Sequence, residues 1–229
     1  MIKTIFLDLD DTILDFHRAE AQAIRKTLAT LLGEELTEEV VQLYSAINNA
    51  QWKRLEKGEL TIEEVKLVRF ALLFEQLGKG ISPSMAKNIY EKNLSAGHFF
   101  IDGAPMLLQR LHKQYNLYLA SNGDVNVQNS RIASSGISRF FKGIFISQLM
   151  GAPKPQPAFF DACFRSIEGF DPKSAIILGD SLTSDILGGI NAGILTCWFN
   201  PHGKPCTGPV EPHYQISSLD EFPALLARL

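Results

Sequence analysis

The chain has 229 residues, of which 45% are apolar and 21% charged, which suits a globular protein of one large domain or a core domain with an insertion. Its net charge of −3 provides no basic footprint, so neither a nucleic-acid polymer nor a membrane surface is an expected partner. The three cysteines form no CxxC pair, which argues against a disulfide framework and a zinc site. Because the N-terminus lacks a signal-peptide pattern and no apolar stretch approaches the roughly 20 residues of a membrane span, we expect a cytoplasmic protein.

A short apolar run, "IKTIFLDL", opens the chain and predicts a buried strand. Residues 15–98 then carry helical periodicity and no strand pattern. Their four helical stretches are "AEAQAIRKTLATLLG", "TEEVVQLYSAINNAQWKRLEKG", "TIEEVKLVRFALLFEQLG" and "SPSMAKNIYEKNLSAG". Each has a helix-starting cap residue, a terminal glycine or both. The pattern therefore predicts an all-helical insertion directly after the first strand.

Strand and helix patterns alternate from residue 99 to the end of the chain. The strand-like segments are "NLYLASN", "GIFIS", "SAIILGD" and "ILTCWF", and the tail adds one short strand and one helix. Such alternation is typical of a parallel sheet covered by helices on both faces. We therefore predict an α/β protein in which residues 1–14 and 99–229 form a Rossmann-like core and residues 15–98 form an inserted all-helical cap domain.

Polar residues follow four of the predicted strands. They are Asp8 and Asp10 after the first, Ser121, Asn122 and Gly123 after the second, Lys154 in the loop after the third, and Asp180 and Asp185 after the fourth. Ligands bind beyond the carboxyl ends of the strands in open parallel sheets. We therefore expect these side chains to converge on one cleft.

Four carboxylates in one cleft would repel one another strongly, since two unit charges 4 Å apart repel by about 4 kcal/mol at an effective dielectric constant near 20. The cluster requires a bound cation or protonated members, and oxygen-only ligands favour Mg²⁺. Lys154 adds a further positive charge. A carboxylate nucleophile, a second carboxylic acid, a cation and hydroxyl or amide donors are together the groups that phosphoryl transfer needs. Ser121 and the amides of Asn122 and Gly123 are the candidate phosphate donors.

The segments "DLDDT", "SNG", "KP" and "GDSLTSD" resemble, in this order, the four motifs of the haloacid dehalogenase superfamily. The resemblance implies that Asp8 is the nucleophile and a metal ligand, and that Asp10 is the general acid/base with its backbone carbonyl on the metal. It implies that Lys154 stabilises charge. Its remaining implications are that Ser121 donates to phosphate alongside Leu9, Asn122 and Gly123, that Asp180 is a metal ligand, and that Asp185 supports the metal shell or Lys154. It also implies that the helical insertion is a C1-type cap that closes over the site.

Two further segments, "GDSLTSDILGGINAGILTCWFN" and "WKRLEKGELT", are similar to the pyrimidine 5′-nucleotidase branch of this superfamily. Trp52 in the second segment either stacks on a nucleobase or fills a helix–helix core. His17, where the chain leaves the first strand, either faces the site or lies on the surface. The branch often has Thr where Ser121 stands, and Asp124 adds a negative charge beside the predicted phosphate loop.

These observations predict a Mg²⁺-dependent phosphomonoester hydrolase that acts through an aspartyl-phosphate on nucleoside 5′-monophosphates, with pyrimidines favoured. The partner is a small-molecule phosphomonoester, and we expect a monomer or a weak homodimer. Three alternatives remain open: a phosphatase for a sugar phosphate or phosphoglycolate, a haloacid dehalogenase, and a non-catalytic sensor of phosphate ligands. Asp10 argues against the dehalogenase, because a halide leaving group needs no acid.

Overall fold

The computed structural model describes residues 1–33, 37–206 and 208–229. The chain divides into two compact units. The sheet unit comprises Met1–Asp15, Phe100–Val125 and Ser135–Leu229, and the helical unit comprises Phe16–Phe99 and Asn126–Ser134. Residues 126–134 thus cluster with the helices. The assignment of residues 1–14 and 99–229 as a core domain and 15–98 as a cap domain stays a prediction.

The helical unit contains the four helices that the sequence predicts, α1 (Phe16–Leu32), α2 (Glu38–Glu56), α3 (Ile62–Gln76) and α4 (Pro83–Ser95). Thr61 starts α3 with a capping box, in which its side chain accepts from the Glu64 amide and the Glu64 side chain accepts from the Thr61 amide. Ser82 caps α4 immediately before Pro83, which occupies the first helical position. Local capping chemistry therefore sets where α3 and α4 begin, whereas Thr37, the residue before α2, makes no side-chain capping hydrogen bond.

A buried polar network crosses the core of the helical unit. Glu20 of α1 accepts hydrogen bonds of 2.6 Å from both Ser45 and Asn48 of α2, and Asn48 in turn accepts from Arg69 of α3 at 3.0 Å. Burial raises the pKa of Glu20, and the hydrogen bonds from Ser45 and Asn48 act in the opposite direction. The network joins three helices beside a cluster of buried apolar and aromatic side chains.

Six strands form one parallel sheet within the described residues, in the spatial order β3-β2-β1-β4-β5-β6. Their bounds are β1 Thr4–Leu7, β2 Asn116–Ser121, β3 Gly143–Ile146, β4 Ala175–Gly179, β5 Leu195–Phe199 and β6 Tyr214–Ile216. The predicted α/β fold with a Rossmann-like parallel sheet is confirmed. β2 and β3 lie on one side of β1 and β4 to β6 on the other, so the strand order reverses beside β1. Parallel sheets bind ligands at such a switch point.

Six helices connect or follow the strands in the described part of the sheet unit and at its border. They are α5 (Ala104–Leu111), α6 (Val125–Ser135), α7 (Ser147–Met150), α8 (Pro157–Arg165), α9 (Leu187–Asn191) and α10 (Phe222–Leu226). The segment "SDILGGINAG", residues 184–193, lies between two predicted strands and predicts one helix, whereas the structure has a π-helical turn, Leu182–Ile186, that leads into α9. It also has the short helix α7, which the sequence does not predict. Both differences lie next to strand ends.

Strand register brings the predicted site residues to one edge. Leu7, the last residue of β1, pairs with Leu119 of β2 and with Leu178 of β4. Residues that follow these three positions therefore emerge together at the carboxyl edge of the sheet. Phe6 of β1 packs against Tyr118 and Phe160 in an apolar cluster, which holds the central strand in place.

No helix among the described residues combines the length and the apolar character that crossing a membrane requires.

Candidate active site

The chain turns sharply after β1 and separates the first two carboxylates. The Leu9 carbonyl accepts from the Leu14 amide at 2.8 Å, and Asp11 adopts a φ of 57°. Asp tolerates this left-handed conformation better than most residues because its short polar side chain bonds locally. Asp8 remains at the strand end with 6% of its surface exposed, and Asp10 is half-buried.

The Lys154 ammonium group lies at the centre of the site. Its Nζ donates to Asp8 Oδ1, Asp185 Oδ1 and the Ala120 carbonyl, each at 2.6 Å. An ammonium group has three N–H donors, so these acceptors use all of them. The side chain is 1% exposed. Lys154 therefore joins the ends of β1 and β2 to the segment after β4.

Two local features hold the Asp185 carboxylate toward Lys154. Its Oδ2 accepts from the Ser181 amide at 3.0 Å, within the π-helical turn. Gly179, the last residue of β4, leaves the space that this carboxylate occupies, since a Cβ on Gly179 would overlap the Asp185 carboxyl group. A glycine is therefore required here for close approach of a neighbouring group and not for backbone freedom.

Asp8, Asp180 and Asp185 form a carboxylate cluster in which one ligand oxygen from each lies within 4.8 Å of the others. The Asp180 carbonyl accepts from Trp198 Nε1 at 2.7 Å, which holds its main chain against β5. The sequence predicts Asp8 and Asp180 as metal ligands and Asp185 as a support of the metal shell or of Lys154, and the structure shows the contact of Asp185 with Lys154. Asp10 is outside this cluster, and the predicted contact of its backbone carbonyl with a metal stays a prediction.

The charges of the cluster are unbalanced, because three carboxylates share one ammonium group. Burial and the neighbouring Asp185 raise the pKa of Asp8 to about 8, although Lys154 acts in the opposite direction. Burial and the neighbouring carboxylates of Asp185 and Asp8 raise the pKa of Asp180. Burial alone would lower the pKa of Lys154, but Asp185 and Asp8 outweigh it and raise that pKa. A small oxygen-seeking dication fits this donor set, because it supplies the missing positive charge to carboxylate oxygens.

Ser121, at the end of β2, and the two residues that follow it are engaged by other parts of the protein. Ser121 is fully buried. The Gly123 amide donates to Ser147 Oγ at 3.1 Å, and the Asn122 side chain bonds to the main chain of Lys154. The predicted contacts of Leu9, Ser121, Asn122 and Gly123 with phosphate stay predictions. Sequence reasoning missed Ser147, because no pattern marks which hydroxyl will meet an amide from a different strand.

The two candidate substrate residues outside the sheet unit lie on α1 and α2. His17 is exposed in the first turn of α1, and Trp52 is half-buried on α2. Both candidate roles in substrate binding stay predictions.

We expect Gly179→Ala to weaken Mg²⁺ binding by about tenfold or more, because the new methyl group must displace the Asp185 carboxylate. Titration calorimetry of the folded variant with MgCl₂ measures this loss. Gly80→Ala is the matched control, since Gly80 has open space around it and is not among the residues with positive φ. Equal Mg²⁺ affinities for the two variants would contradict the steric account of Gly179.

The raised pKa of Asp8 predicts a pH-dependent stability in metal-free protein. The pKa of Asp8 is about 8 in the folded protein against an ordinary 3.8. At pH values between these two, the folded state therefore binds one proton more than the unfolded state. Stability is therefore lost as pH rises, by on the order of 1 kcal/mol per pH unit. Urea unfolding in EDTA at about pH 5.5, 6.5 and 7.5 measures the free energy of unfolding of the wild type and of Asp8→Asn, which has no carboxyl group to titrate at this position. A stability difference between the two proteins that stays constant across this range would contradict the prediction.

Comparisons with known proteins agree with this geometry. A family model for haloacid dehalogenase-like hydrolases matches residues 2–193. The HAD-hydrolase YfnB of Bacillus subtilis is 39% identical over 224 residues, which cover 96% of this chain and 93% of that protein. The pyrimidine 5′-nucleotidase PynA of Streptococcus pneumoniae is 35% identical over 224 residues, with the same coverage of 96% and 93%.

A crystal structure of YfnB from Bacillus subtilis bound to magnesium superimposes with a TM-score of 0.93 at 38% identity and covers 98% of each chain. The family model spans all four motifs, and the similarity to YfnB extends over nearly the whole fold. The chain therefore belongs to the haloacid dehalogenase-like hydrolases.

Proposed function

We propose that this hydrolase is a Mg²⁺-dependent phosphomonoesterase that acts on nucleoside 5′-monophosphates, with pyrimidine nucleotides preferred. The observation that carries the proposal is the buried Asp8 carboxylate, which Lys154 binds through one oxygen beside the carboxylates of Asp180 and Asp185. The proposed nucleophile, the Lys154 positive charge and the carboxylates that could hold a dication are thus close together. The similarity to PynA supports the choice of nucleotide substrate.

Asp8 and Asp180 would hold the Mg²⁺ ion, together with the backbone carbonyl of Asp10. Asp185 would support this set, because its two oxygens accept from Lys154 and from the Ser181 amide. The chemistry that the ion supplies when bound is neutralisation of phosphate charge, which allows an anionic nucleophile to approach an anionic substrate. The excess of carboxylates over ammonium groups supports this assignment, because the same set without a dication must hold a proton.

Asp8 is the proposed nucleophile. Lys154 holds its Oδ1, so Oδ2 attacks phosphorus in line with the leaving oxygen. A new bond forms between Asp8 and phosphorus as the bond from phosphorus to the 5′-oxygen breaks. The Lys154 ammonium offsets part of the negative charge on the transferring group. Asp185 does not attack, because both of its oxygens are already bonded, one to Lys154 and one to the Ser181 amide.

Asp10 is the proposed general acid and base. It lies two residues beyond the nucleophile on the turn after β1 and is half-buried, whereas Asp8 is buried. In the first step it donates its proton to the departing 5′-oxygen. In the second it accepts a proton from the water that attacks the aspartyl-phosphate, which releases inorganic phosphate and restores Asp8.

The alternative substrates differ in the leaving group and not in the phosphate chemistry. A sugar phosphate or phosphoglycolate would use Asp8 and Asp10 in the same way, whereas a haloacid would need neither the acid nor the dication. The deciding experiment measures phosphate release from UMP, dUMP, dTMP, AMP, sugar phosphates and phosphoglycolate with Mg²⁺, and halide release from a 2-haloacid. We expect the highest kcat/KM for pyrimidine nucleotides and no activity in EDTA. Equal rates on UMP and sugar phosphates would overturn the nucleotidase assignment, and halide release in EDTA would overturn the phosphatase assignment.

We expect Asp8→Asn to lower kcat by about 10⁴-fold or more, because it removes the nucleophile, and Asp10→Asn to lower it by about 10³-fold, because it removes the transferable proton. Steady-state phosphate release measures both effects. The control variant is Asp161→Asn, which changes an exposed carboxylate on α8 and should leave kcat unchanged. An Asp8→Asn protein that is folded and turns over at a near-normal rate would refute the covalent mechanism.

A further inference from the structure

The Asn122 side chain forms hydrogen bonds with both the amide and the carbonyl of Lys154. Its Oδ1 accepts from the Lys154 amide at 2.9 Å, and its Nδ2 donates to the Lys154 carbonyl at 2.9 Å. Nδ2 also donates to Ser184 Oγ at 3.3 Å. The side-chain amide therefore pairs with one residue as a neighbouring strand would, and it also contacts the residue before Asp185.

The sequence around Lys154 explains why an external partner is needed. Pro153 and Pro155 flank it, and proline has no N–H group. The Lys154 amide is thus the one main-chain donor among residues 153–155, and Asn122 occupies it. Asn122 itself is fixed because it directly follows Ser121, the last residue of β2. Asn122 therefore attaches the main chain of Lys154 to the end of β2.

The position of this main chain matters for the ammonium group. Lysine has a long flexible side chain, yet the Lys154 Nζ must meet three acceptors on three separate segments. An ammonium fixed at both its main chain and its three hydrogens needs little rearrangement to offset a negative charge that develops beside it. Displacement of a positioning contact by about 1 Å can cost about 10²-fold in rate.

We propose that Asn122 is a positioning residue that acts through Lys154, and that its side chain does not bind the substrate. The catalytic part of this inference rests on the proposed phosphomonoesterase activity, whereas the placement of Lys154 can be tested without it. Ser184 supports the same contact from the segment that carries Asp185. The proposal gives the Asn122 side chain a different role from the phosphate contact that the motif predicts for this residue.

The chain contains a matched control for the hydrogen bonds themselves. Asn200 is buried after β5, and its Oδ1 and Nδ2 pair with the amide and carbonyl of Lys204 at 2.9 Å each. Asn200→Ala thus removes the same pair of side-chain to main-chain bonds from the same unit. Lys204 is exposed and is not part of the carboxylate cluster.

The first measurement is the nitrogen-15 NMR resonance of the Lys154 ammonium, assigned by through-bond correlation along its side chain. A buried ammonium with three acceptors exchanges its protons slowly, so its signal should be resolved from those of solvated lysines. We expect Asn122→Ala to shift or broaden this signal and Asn200→Ala to leave it unchanged. An unchanged Lys154 signal in folded Asn122→Ala would overturn the proposal.

The second measurement is kinetic and uses the best phosphomonoester from the substrate panel. We expect Asn122→Ala to lower kcat by about 10²-fold with KM changed by less than about threefold, and Asn200→Ala to leave kcat within about twofold. In a Lys154→Met background, Asn122→Ala should have little further effect, because residues that act as a unit are not additive. A raised KM with normal kcat, or full additivity with Lys154→Met, would show instead that Asn122 acts on the substrate.

Asn122→Asp serves if Asn122→Ala does not fold. It has the same shape and keeps an acceptor for the Lys154 amide, but it loses the donor to the Lys154 carbonyl and to Ser184. A kcat between those of the wild type and Lys154→Met, with a shifted ammonium resonance, supports the proposal, and a wild-type resonance contradicts it. If the wild-type protein hydrolyses no phosphomonoester, the proposed function fails, while the NMR result still decides whether Asn122 places Lys154.

Discussion

The buried Lys154 ammonium, shared by Asp8, Asp185 and the Ala120 carbonyl, is the interaction on which the rest of the site depends. Without it, two carboxylates would face each other in a space from which water is largely excluded, and their repulsion would separate the strand ends. The features nearby all favour this contact: the parallel register aligns the strand ends, Gly179 leaves room for Asp185, and Asn122 holds the lysine main chain.

A buried cluster of three carboxylates and one ammonium is not an arrangement that stability alone explains, and it fits a chemical role. Burial of a charge costs several kcal/mol, and a buried ion pair often recovers no more than that cost. Here the balance is worse, because one ammonium serves three carboxylates and the pKa values of Asp8 and Asp180 are raised. An arrangement that is electrostatically incomplete by itself becomes favourable when a dication and a phosphate group bind together. The unbalanced charge is thus the property that prepares the site for its proposed ligands.

The residues predicted for the reaction and the candidate residues for substrate binding lie in different units. The sheet unit contains every residue predicted to react, to hold the metal or to donate to phosphate, and their spacing follows from strand register. The helical unit has its own aromatic core and its own polar network from Glu20 to Arg69, so it is held together by internal contacts. It also carries His17 and Trp52, the two candidate residues for substrate binding, whose roles stay predictions. Those roles would place substrate preference and reaction chemistry in different parts of the chain.

The sequence by itself determined the fold class, the four inserted helices and the four polar strand ends, because apolar periodicity, capping residues and strand alternation are local properties of the chain. It also predicted Asp8, Asp180 and Asp185 as neighbours, because parallel strands end at a common edge. Only the tertiary structure decided which atoms meet. The pairing of Asn122 with Lys154 depends on ångström-scale placement of segments distant in sequence. The overlap that a side chain on Gly179 would cause and the π-helical turn before α9 depend on the path of the backbone after β4. A local pattern contains no such distances, since they are set by the packing of the whole sheet.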